Sequence, residues 1–144
     1  NALDVVKTLG IMNPKVALIA PTEKPSAKVA STIESEELAN EYKDRDDVVV
    51  EGPISVDLAL SPDSAKEKNY KGKIKGDADV LLVPNLDVGN AVYKSFTVTS
   101  GATVGGAVVG CGPPLILTSR GDSSHTKFAS IALALVLSER GGSR

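Results

Sequence analysis

The segment Thr118-Ser-Arg-Gly-Asp-Ser-Ser124 carries the side chains with the clearest capacity for chemistry. It follows an apolar run and precedes a predicted helix, whose first N–H groups attract anions. Arg120 can hold a phosphate through two hydrogen bonds, and Ser119 can donate one to a developing oxyanion. A purely structural role is the alternative, because Asp122 and Ser123 are favoured helix N-caps and Arg120 can simply face solvent. The residues alone leave both interpretations open.

A second polar segment, residues 84–90, leads into another predicted helix. Asn90 can donate and accept hydrogen bonds, and Lys94 lies one turn further along the same helix face, where it can reach an anionic ligand. The alternative is a polar helix cap with an exposed lysine. Asp57 follows a Gly-Pro step and can aim a carboxylate into the same crevice, or it can simply be a favourable charge at a helix N-terminus.

The elements that must position these segments alternate between strands and helices. Strands are predicted at 15–20, 47–51 (where Gly52-Pro53 ends the strand), 79–83, 102–109 and 114–118. Helices are predicted at 3–9, 31–43 and 87–96, and from Asp122 or Ser123 to about residue 140. Shorter helices are predicted to start near Val56 and Ser61-Pro62. Asn85 or Asp87 is the predicted cap of the 87–96 helix.

This alternation predicts an α/β fold, in which helices cover a mostly parallel sheet in a three-layer α/β/α arrangement. The last helix is apolar nearly all round between residues 128 and 137, which predicts that it is buried. Ligands of open α/β sheets bind beyond the carboxyl ends of the strands. The three polar segments all follow predicted strands, and we expect them to border one crevice.

Composition excludes several classes of protein. The chain has 144 residues, a single domain by the usual prior, with 16 basic and 18 acidic residues, so its net charge of −2 argues against a nucleic-acid binder. One cysteine and one histidine cannot make an internal disulfide or a structural zinc site, which fits a cytoplasmic protein. The most apolar run, residues 128–137, is short of the roughly 20 residues that span a membrane. Neither a P-loop nor a dinucleotide fingerprint is present.

Four ordered stretches resemble the phosphate acetyltransferase/phosphate butyryltransferase family. They are Val50-Glu-Gly-Pro-Ile-Ser-Val-Asp57, Gly76-Asp-Ala-Asp-Val-Leu-Leu-Val-Pro84, Gly89-Asn90 with Tyr93-Lys94, and Leu117-Thr-Ser-Arg120. The resemblance extends over roughly residues 3–138. The butyryltransferase branch looks nearer, and the residues that favour it are 117–123, Lys127 and 130–134. It implies the fold of the family's second domain and the transfer of a short acyl group between coenzyme A and inorganic phosphate, with coenzyme A as substrate and no metal or covalent cofactor.

The resemblance also implies roles for individual residues. Ser119 and Arg120 would lie at the reacting centre, where Arg120 holds phosphate or the acyl oxygen and Ser119 stabilises the tetrahedral charge. Lys94 matches a family lysine near that cleft, and Asn90 and Asp57 are further correspondences that would bind substrate.

One position departs from the acetyltransferase pattern. Those enzymes place a carboxylate six residues after the arginine, as the base for the coenzyme A thiol, and this chain has Thr126 there. Asp122 or His125 can substitute for it. Butyryl-type members also lack that carboxylate, so the change does not exclude activity.

At the level of the whole protein, the resemblance implies a single α/β domain over residues 1–144 that forms the C-terminal part of a two-domain acyltransferase. The segment after about residue 119 would then pack partly against the first domain. Implied partners are acyl-CoA, phosphate and a second copy in a homodimer, with no nucleic acid and no membrane. The alternative is a non-catalytic acyl-CoA-binding or dimerisation module, similar to the C-terminal domain of some malic enzymes.

Overall fold

The computed structural model describes residues 1–141, with side chains described as far as Glu139. The chain divides into two units, which we treat separately: a sheet unit, Ile11–Gly89, and a loop-helix unit, made of Asn1–Gly10 and the chain from Asn90 onward. Along the chain the elements are α1 (Ala2–Thr8), β1 (Lys15–Ile19), α2 (Ala30–Glu41), β2 (Val49–Ile54), α3 (Val56–Leu60), α4 (Pro62–Glu67), β3 (Val80–Leu82), α5 (Leu86–Thr99) and α6 (Ser124–Gly141).

A three-stranded parallel sheet forms the centre of the sheet unit, with β1 between β2 and β3. The central position of β1 follows from its sequence, because the uninterrupted apolar run Val16–Ile19 is buried on both faces. The core around it includes Ile54, Leu58 and Ile74, each no more than 1% exposed. The predicted mixed α/β fold with a parallel sheet is confirmed.

The end of β2 differs from the sequence prediction. Gly52-Pro53 was expected to stop the strand, but β2 continues through both residues to Ile54. The pairing with β1 shifts its register between Ala17 and Ile19, which accommodates the proline. A Cβ on Gly52 would lie 2.5 Å from the Cβ of Leu18, so the two strands approach this closely only because residue 52 is glycine.

Glu51 holds the loop that follows α4. Its carboxylate accepts hydrogen bonds from the Ile74 N–H, at 2.7 Å, and from the Tyr70 hydroxyl, at 2.8 Å. A side chain on Gly72 would overlap that carboxylate, since its Cβ would lie 1.6 Å from an Oε atom. Burial, the hydrogen bond and the negative charge of Glu51 together raise the pKa of Tyr70 above its usual value.

The helix starts follow the expected capping chemistry. Ser61 Oγ accepts the Ser64 N–H at 3.2 Å, with Pro62 at the first helical position of α4. Asn85 Oδ1 accepts the Val88 N–H at 3.0 Å and caps α5. Of the two predicted caps for the last helix, Ser123 is the one used.

The Gly-rich stretch of the loop-helix unit does not form the two predicted strands. Residues 102–109 and 114–118 contribute only an isolated antiparallel bridge between Val108 and Leu115, with N–H···O distances of 2.8 and 2.9 Å. Gly110 and Gly112 both adopt positive φ angles, and two prolines without N–H groups follow them. The backbone therefore turns where a ladder would have to continue.

The last helix is also more exposed than its sequence predicted. Within the described part of α6, Phe128 is 69% exposed and Leu135 is 59% exposed, whereas Ser130 and Ala134 are buried. The prediction of a buried helix was wrong for these residues, because only the side of the helix that carries Ser130 and Ala134 is packed. No helix among residues 1–141 is long and apolar enough to cross a membrane.

Candidate functional site

Residues 119–122 form a turn that two hydrogen bonds close, one donated by Asp122 to Ser119 and one donated by Ser119 to Asp122. The Asp122 N–H donates to the Ser119 carbonyl oxygen at 3.1 Å, and the Ser119 N–H donates to Asp122 Oδ2 at 2.7 Å. This side-chain-to-backbone bond is short because the acceptor is a carboxylate. The turn therefore fixes the backbone of Ser119 immediately before α6 begins.

Asp122 also ties this turn to α5. Its second carboxylate oxygen, Oδ1, accepts a hydrogen bond from the Tyr93 hydroxyl at 3.0 Å. The bond favours the protonated phenol, so the pKa of Tyr93 is raised, with smaller effects from desolvation and from the negative charge of Asp122. One carboxylate thus connects the turn to a helix 29 residues earlier in the chain.

The first turns of α6 hold a second segment in place. Ser123 Oγ accepts the Thr126 N–H at 3.1 Å and caps the helix. Ser130, only 1% exposed, donates its hydroxyl to the Thr126 carbonyl oxygen at 2.8 Å and accepts the Gly106 N–H at 3.0 Å. The backbone at Gly106 is therefore bonded to the face of α6 that carries Thr126 and Ser130.

Two neighbouring cavities open between these elements, both lined within the loop-helix unit. The larger, of about 400 Å³, is bordered by Lys94, Thr97 and His125, among others. The smaller, of about 210 Å³, is bordered by Val104, Gly106, Leu117, Thr118, Ser119 and Ser130. Tyr93, Asp122 and Thr126 border both cavities and form the wall that they share.

Lys94 gives the larger cavity its positive charge. Its Nζ atom lies 5.0 Å from the centroid of the Tyr93 ring, a cation–π distance, and the side chain is otherwise exposed. Tyr93 therefore contacts the lysine through its ring and the turn through its hydroxyl. An anion that enters the larger cavity meets an ammonium group beside the wall that carries Asp122.

The structure brings together three of the predicted site residues: Ser119, Asp122 and Lys94 border these cavities. Arg120 lies in the turn, but its side chain is exposed and borders neither of the two cavities. Asn90 is exposed one helical turn before Lys94 and likewise borders neither.

Asp57 lies in the sheet unit, at the start of α3. Its carboxylate forms an ion pair with Lys68 at 2.7 Å, and both side chains are about half exposed. The hydrogen bond from Lys68 is the main reason that the pKa of Asp57 is lowered. Within the sheet unit, the observed contact of Asp57 is thus with a basic side chain from the segment after α4.

Sequence reasoning singled out neither Tyr93 nor Thr126 as members of the site walls. Tyr93 was noted only as the neighbour of Lys94, and its link to Asp122 depends on a contact across 29 residues. A signal for Thr126 does exist. Thr126 and Ser130 are four residues apart in α6, so both fall on one face of the helix.

Among the described residues there is no group of three or more histidine, cysteine, aspartate or glutamate side chains that could hold a metal ion. The groups that border the two cavities are a lysine, an imidazole, hydroxyls and one carboxylate. They can bind an anion, donate hydrogen bonds to an oxyanion and accept a proton.

Comparison with known proteins identifies the family. The family model described as "Phosphate acetyl/butaryl transferase" matches residues 1–135. The chain belongs to this family. The resemblance of the four sequence stretches is thereby confirmed over almost the whole chain.

Individual relatives agree with this assignment. The chain is 41% identical over 140 residues to the phosphate butyryltransferase of Clostridium acetobutylicum, covering 95% of this chain and 46% of that protein. It is 36% identical over 143 residues to the phosphate acetyltransferase of Rhizobium meliloti, covering 97% of this chain and 45% of that protein. The chain thus spans about half the length of the curated relatives it matches.

A solved structure supports the fold in the same way. The crystal structure of a branched-chain phosphotransacylase from Enterococcus faecalis V583 superposes with a TM-score of 0.90 at 42% identity, over 96% of this chain and 50% of that one. This high score at substantial identity supports the arrangement of elements described above.

Proposed function

We propose that the protein carrying this chain transfers a short acyl group between coenzyme A and inorganic phosphate. The observation that carries the proposal is the turn 119–122, in which Asp122 borders both the cavity with a cation and the cavity without one, and Ser119 borders the latter. The names of the relatives, phosphate butyryltransferase and phosphate acetyltransferase, support the same reaction. No metal or covalent cofactor takes part, and coenzyme A is a substrate.

The chemistry follows from the charges that change during the reaction. The thiolate of coenzyme A attacks the carbonyl carbon of an acyl phosphate, the C–O bond to phosphate breaks, and a thioester and free phosphate remain. In the reverse direction phosphate attacks the thioester and the thiolate leaves. Ser119 donates to the oxygen of the tetrahedral intermediate, where a fixed donor is most effective. Lys94 binds the phosphate in the larger cavity, and Arg120, which lies in the turn beside Ser119 but borders neither cavity, is the second proposed phosphate-binding residue.

A base must take the proton from the thiol before it attacks. Asp122 and His125 both border the larger cavity. Both oxygens of Asp122 already accept hydrogen bonds, from the Ser119 N–H and the Tyr93 hydroxyl. We therefore assign the proton transfer to His125, whose neutral imidazole carries a nitrogen that can accept a proton at the larger cavity, and the positioning of Ser119 to Asp122. Asn90 and Asp57 remain predicted contributors to substrate binding.

The proposal extends to the assembly of the whole protein. We propose that residues 1–144 form one α/β domain of a longer, two-domain enzyme, that the segment after about residue 119 packs partly against the other domain, and that the enzyme is a cytoplasmic homodimer. Support comes from α6, where Phe128, Ile131 and Leu135 are 48–69% exposed in this chain. Large apolar side chains grouped on one helix are typical of surfaces that another polypeptide covers. The single cysteine supports the location.

The direct test measures release of free coenzyme A from acetyl-, butyryl- and valeryl-CoA by the intact protein, with and without phosphate. We expect release that depends on phosphate. Ser119→Ala and Arg120→Ala should each lower it on the order of 10²–10³-fold, by analogy with removal of one oxyanion donor. Ser138→Ala, an exposed serine on α6 outside both cavities, is the matched control.

Two results would contradict the proposal. Absence of phosphate-dependent release with every acyl-CoA would exclude the transferase reaction. Binding of butyryl-CoA without any turnover would instead support the non-catalytic acyl-CoA-binding alternative. Calorimetric titration of the same protein with butyryl-CoA separates these two outcomes.

A further inference from the structure

The two cavities beside Asp122 differ in charge. Lys94 and His125 border the larger one, and neither they nor any other basic side chain borders the smaller one. The smaller cavity nevertheless shares the Asp122 carboxylate as part of its wall. A negative wall without a cation disfavours a phosphate group there and favours a neutral one. We therefore do not expect phosphate to bind in the smaller cavity.

Hydroxyl groups also border the smaller cavity, but most of the surface that it exposes is apolar and suits a hydrocarbon chain. Val104 and Leu117 contribute branched apolar side chains, and Gly106 contributes only backbone. Ser119 borders the same cavity, so the proposed oxyanion donor lies beside it. With a volume of about 210 Å³, the cavity is below the roughly 300–1,000 Å³ of pockets that enclose drug-sized ligands. A group of a few carbon atoms fits this description.

Two adjacent glycines on the same segment differ in what surrounds them. A Cβ on Gly105 would lie 3.0 Å from the backbone carbon and oxygen of Ala129, so Gly105 lies against α6. A Cβ on Gly106 would meet nothing within 4 Å, and residue 106 does not have a positive φ angle. Gly106 thus lines the cavity and has open space at the position that a side chain would occupy. Its N–H donates to Ser130 Oγ, a bond that any non-proline residue would keep.

We propose that the smaller cavity receives the hydrocarbon part of the acyl group, and that Gly106 and Leu117 set the length of the chain it accepts. The acyl carbonyl then lies near Ser119, and the chain extends between Val104, Leu117 and Gly106. This inference rests on the proposed acyl transfer and adds to it the location of the acyl chain and the residues that select it.

Gly106→Val tests the proposal by filling the cavity. In the intact protein, kcat/KM for butyryl-CoA, whose acyl group is two methylene groups longer, should fall at least about tenfold more than kcat/KM for acetyl-CoA, the lower end of the range for one methylene group in an apolar pocket. Leu117→Ala should act in the opposite direction and raise the ratio of hexanoyl-CoA to butyryl-CoA turnover. Leu117 is 79% exposed, so its truncation does not threaten folding.

The matched controls change neighbouring residues that do not border the cavity. Val108→Leu adds bulk two residues after Gly106, and Ile116→Ala removes bulk next to Leu117. Both should leave the ratio of butyryl-CoA to acetyl-CoA turnover within about twofold of the wild-type ratio, since changes away from such a pocket have small effects. A Gly106→Val variant that loses acetyl-CoA and butyryl-CoA turnover equally would overturn the proposal.

A binding measurement separates this inference from the transferase assignment. Calorimetry with coenzyme A and with butyryl-CoA gives the affinity that the butyryl group adds. We expect wild type to bind butyryl-CoA more tightly than coenzyme A, and Gly106→Val to lose most of that difference while keeping its affinity for coenzyme A. This result supports the acyl cavity even if phosphate-dependent turnover is absent. No difference between the two ligands in wild type, or a difference that Gly106→Val retains, would overturn it.

Discussion

Removing the Asp122 carboxylate should release the 119–122 turn. Asp122 accepts one hydrogen bond from the Ser119 N–H at 2.7 Å and one from the Tyr93 hydroxyl at 3.0 Å. Hydrogen bonds to charged groups contribute roughly 1.5–3 kcal/mol each when buried. Asp122 is only half-buried, so we take the lower end and expect Asp122→Ala to weaken the turn by about 2–3 kcal/mol.

The Asp122→Asn variant separates the contribution of the negative charge to the stability of the turn from the contribution of the hydrogen bonds. The amide oxygen can still accept the Ser119 N–H, and the amide nitrogen can donate to the Tyr93 oxygen, because a hydroxyl both donates and accepts. Two neutral hydrogen bonds of about 0.5–1.5 kcal/mol each would remain. Taken at the lower end of that range, as for the carboxylate, the two bonds retain about 1 kcal/mol, so Asp122→Asn should lose about 1–2 kcal/mol, less than Asp122→Ala. Tyr93→Phe removes one bond only and should fall between wild type and Asp122→Ala.

Hydrogen exchange of the Ser119 amide is the direct assay. A loss of about 2–3 kcal/mol in local stability speeds exchange roughly 30–150-fold where exchange reports local opening. Asp44→Ala, which removes an exposed carboxylate of the sheet unit, should leave this amide unchanged. Turnover should fall together with protection, since a misplacement of about 1 Å at a reacting group costs on the order of 10²-fold. Unchanged exchange in Asp122→Ala would refute the role of the carboxylate in holding the turn.

Three further predictions concern other contacts. The folded state raises the pKa of Tyr70, so the contribution of the Tyr70 hydroxyl to stability is complete below about pH 10 and is lost as the pH rises above that value. Urea titrations should therefore show less alkaline destabilisation in Tyr70→Phe than in wild type. Gly105→Ala should lower the free energy of unfolding by about 1–3 kcal/mol because its Cβ meets the Ala129 backbone, whereas Gly106→Ala should change it little, as thermal unfolding can show. Lys94→Met should raise KM for phosphate at least about tenfold in steady-state assays, because it removes the cation from the larger cavity.

The sheet unit was largely predictable because its determinants are local. The apolar run that forms β1 and the caps Ser61 and Asn85 each depend on a few adjacent residues. The Gly-rich stretch was less predictable. Its apolar residues favour strands, but Gly110 and Gly112 adopt positive φ angles that only the folded backbone reveals.

The site was predictable in its residue types and not in its contacts. Ser119, Asp122 and Lys94 follow from the motif and its helix-start position, and the structure places each beside a cavity. The link from Tyr93 to Asp122 crosses 29 residues and has no local signature. Burial of α6 was predicted from its uniform apolarity. An apolar pattern indicates how much surface a helix can bury, but it does not indicate how much of that surface packs against other residues.

In the proposed reaction, phosphate and not water accepts the acyl group. The most direct measurement is phosphorus NMR of the intact protein with butyryl-CoA and inorganic phosphate. We expect an acyl phosphate signal that grows as fast as free thiol appears, and that is lost in Ser119→Ala. Thiol release with butyrate as product and an unchanged phosphate signal would contradict it.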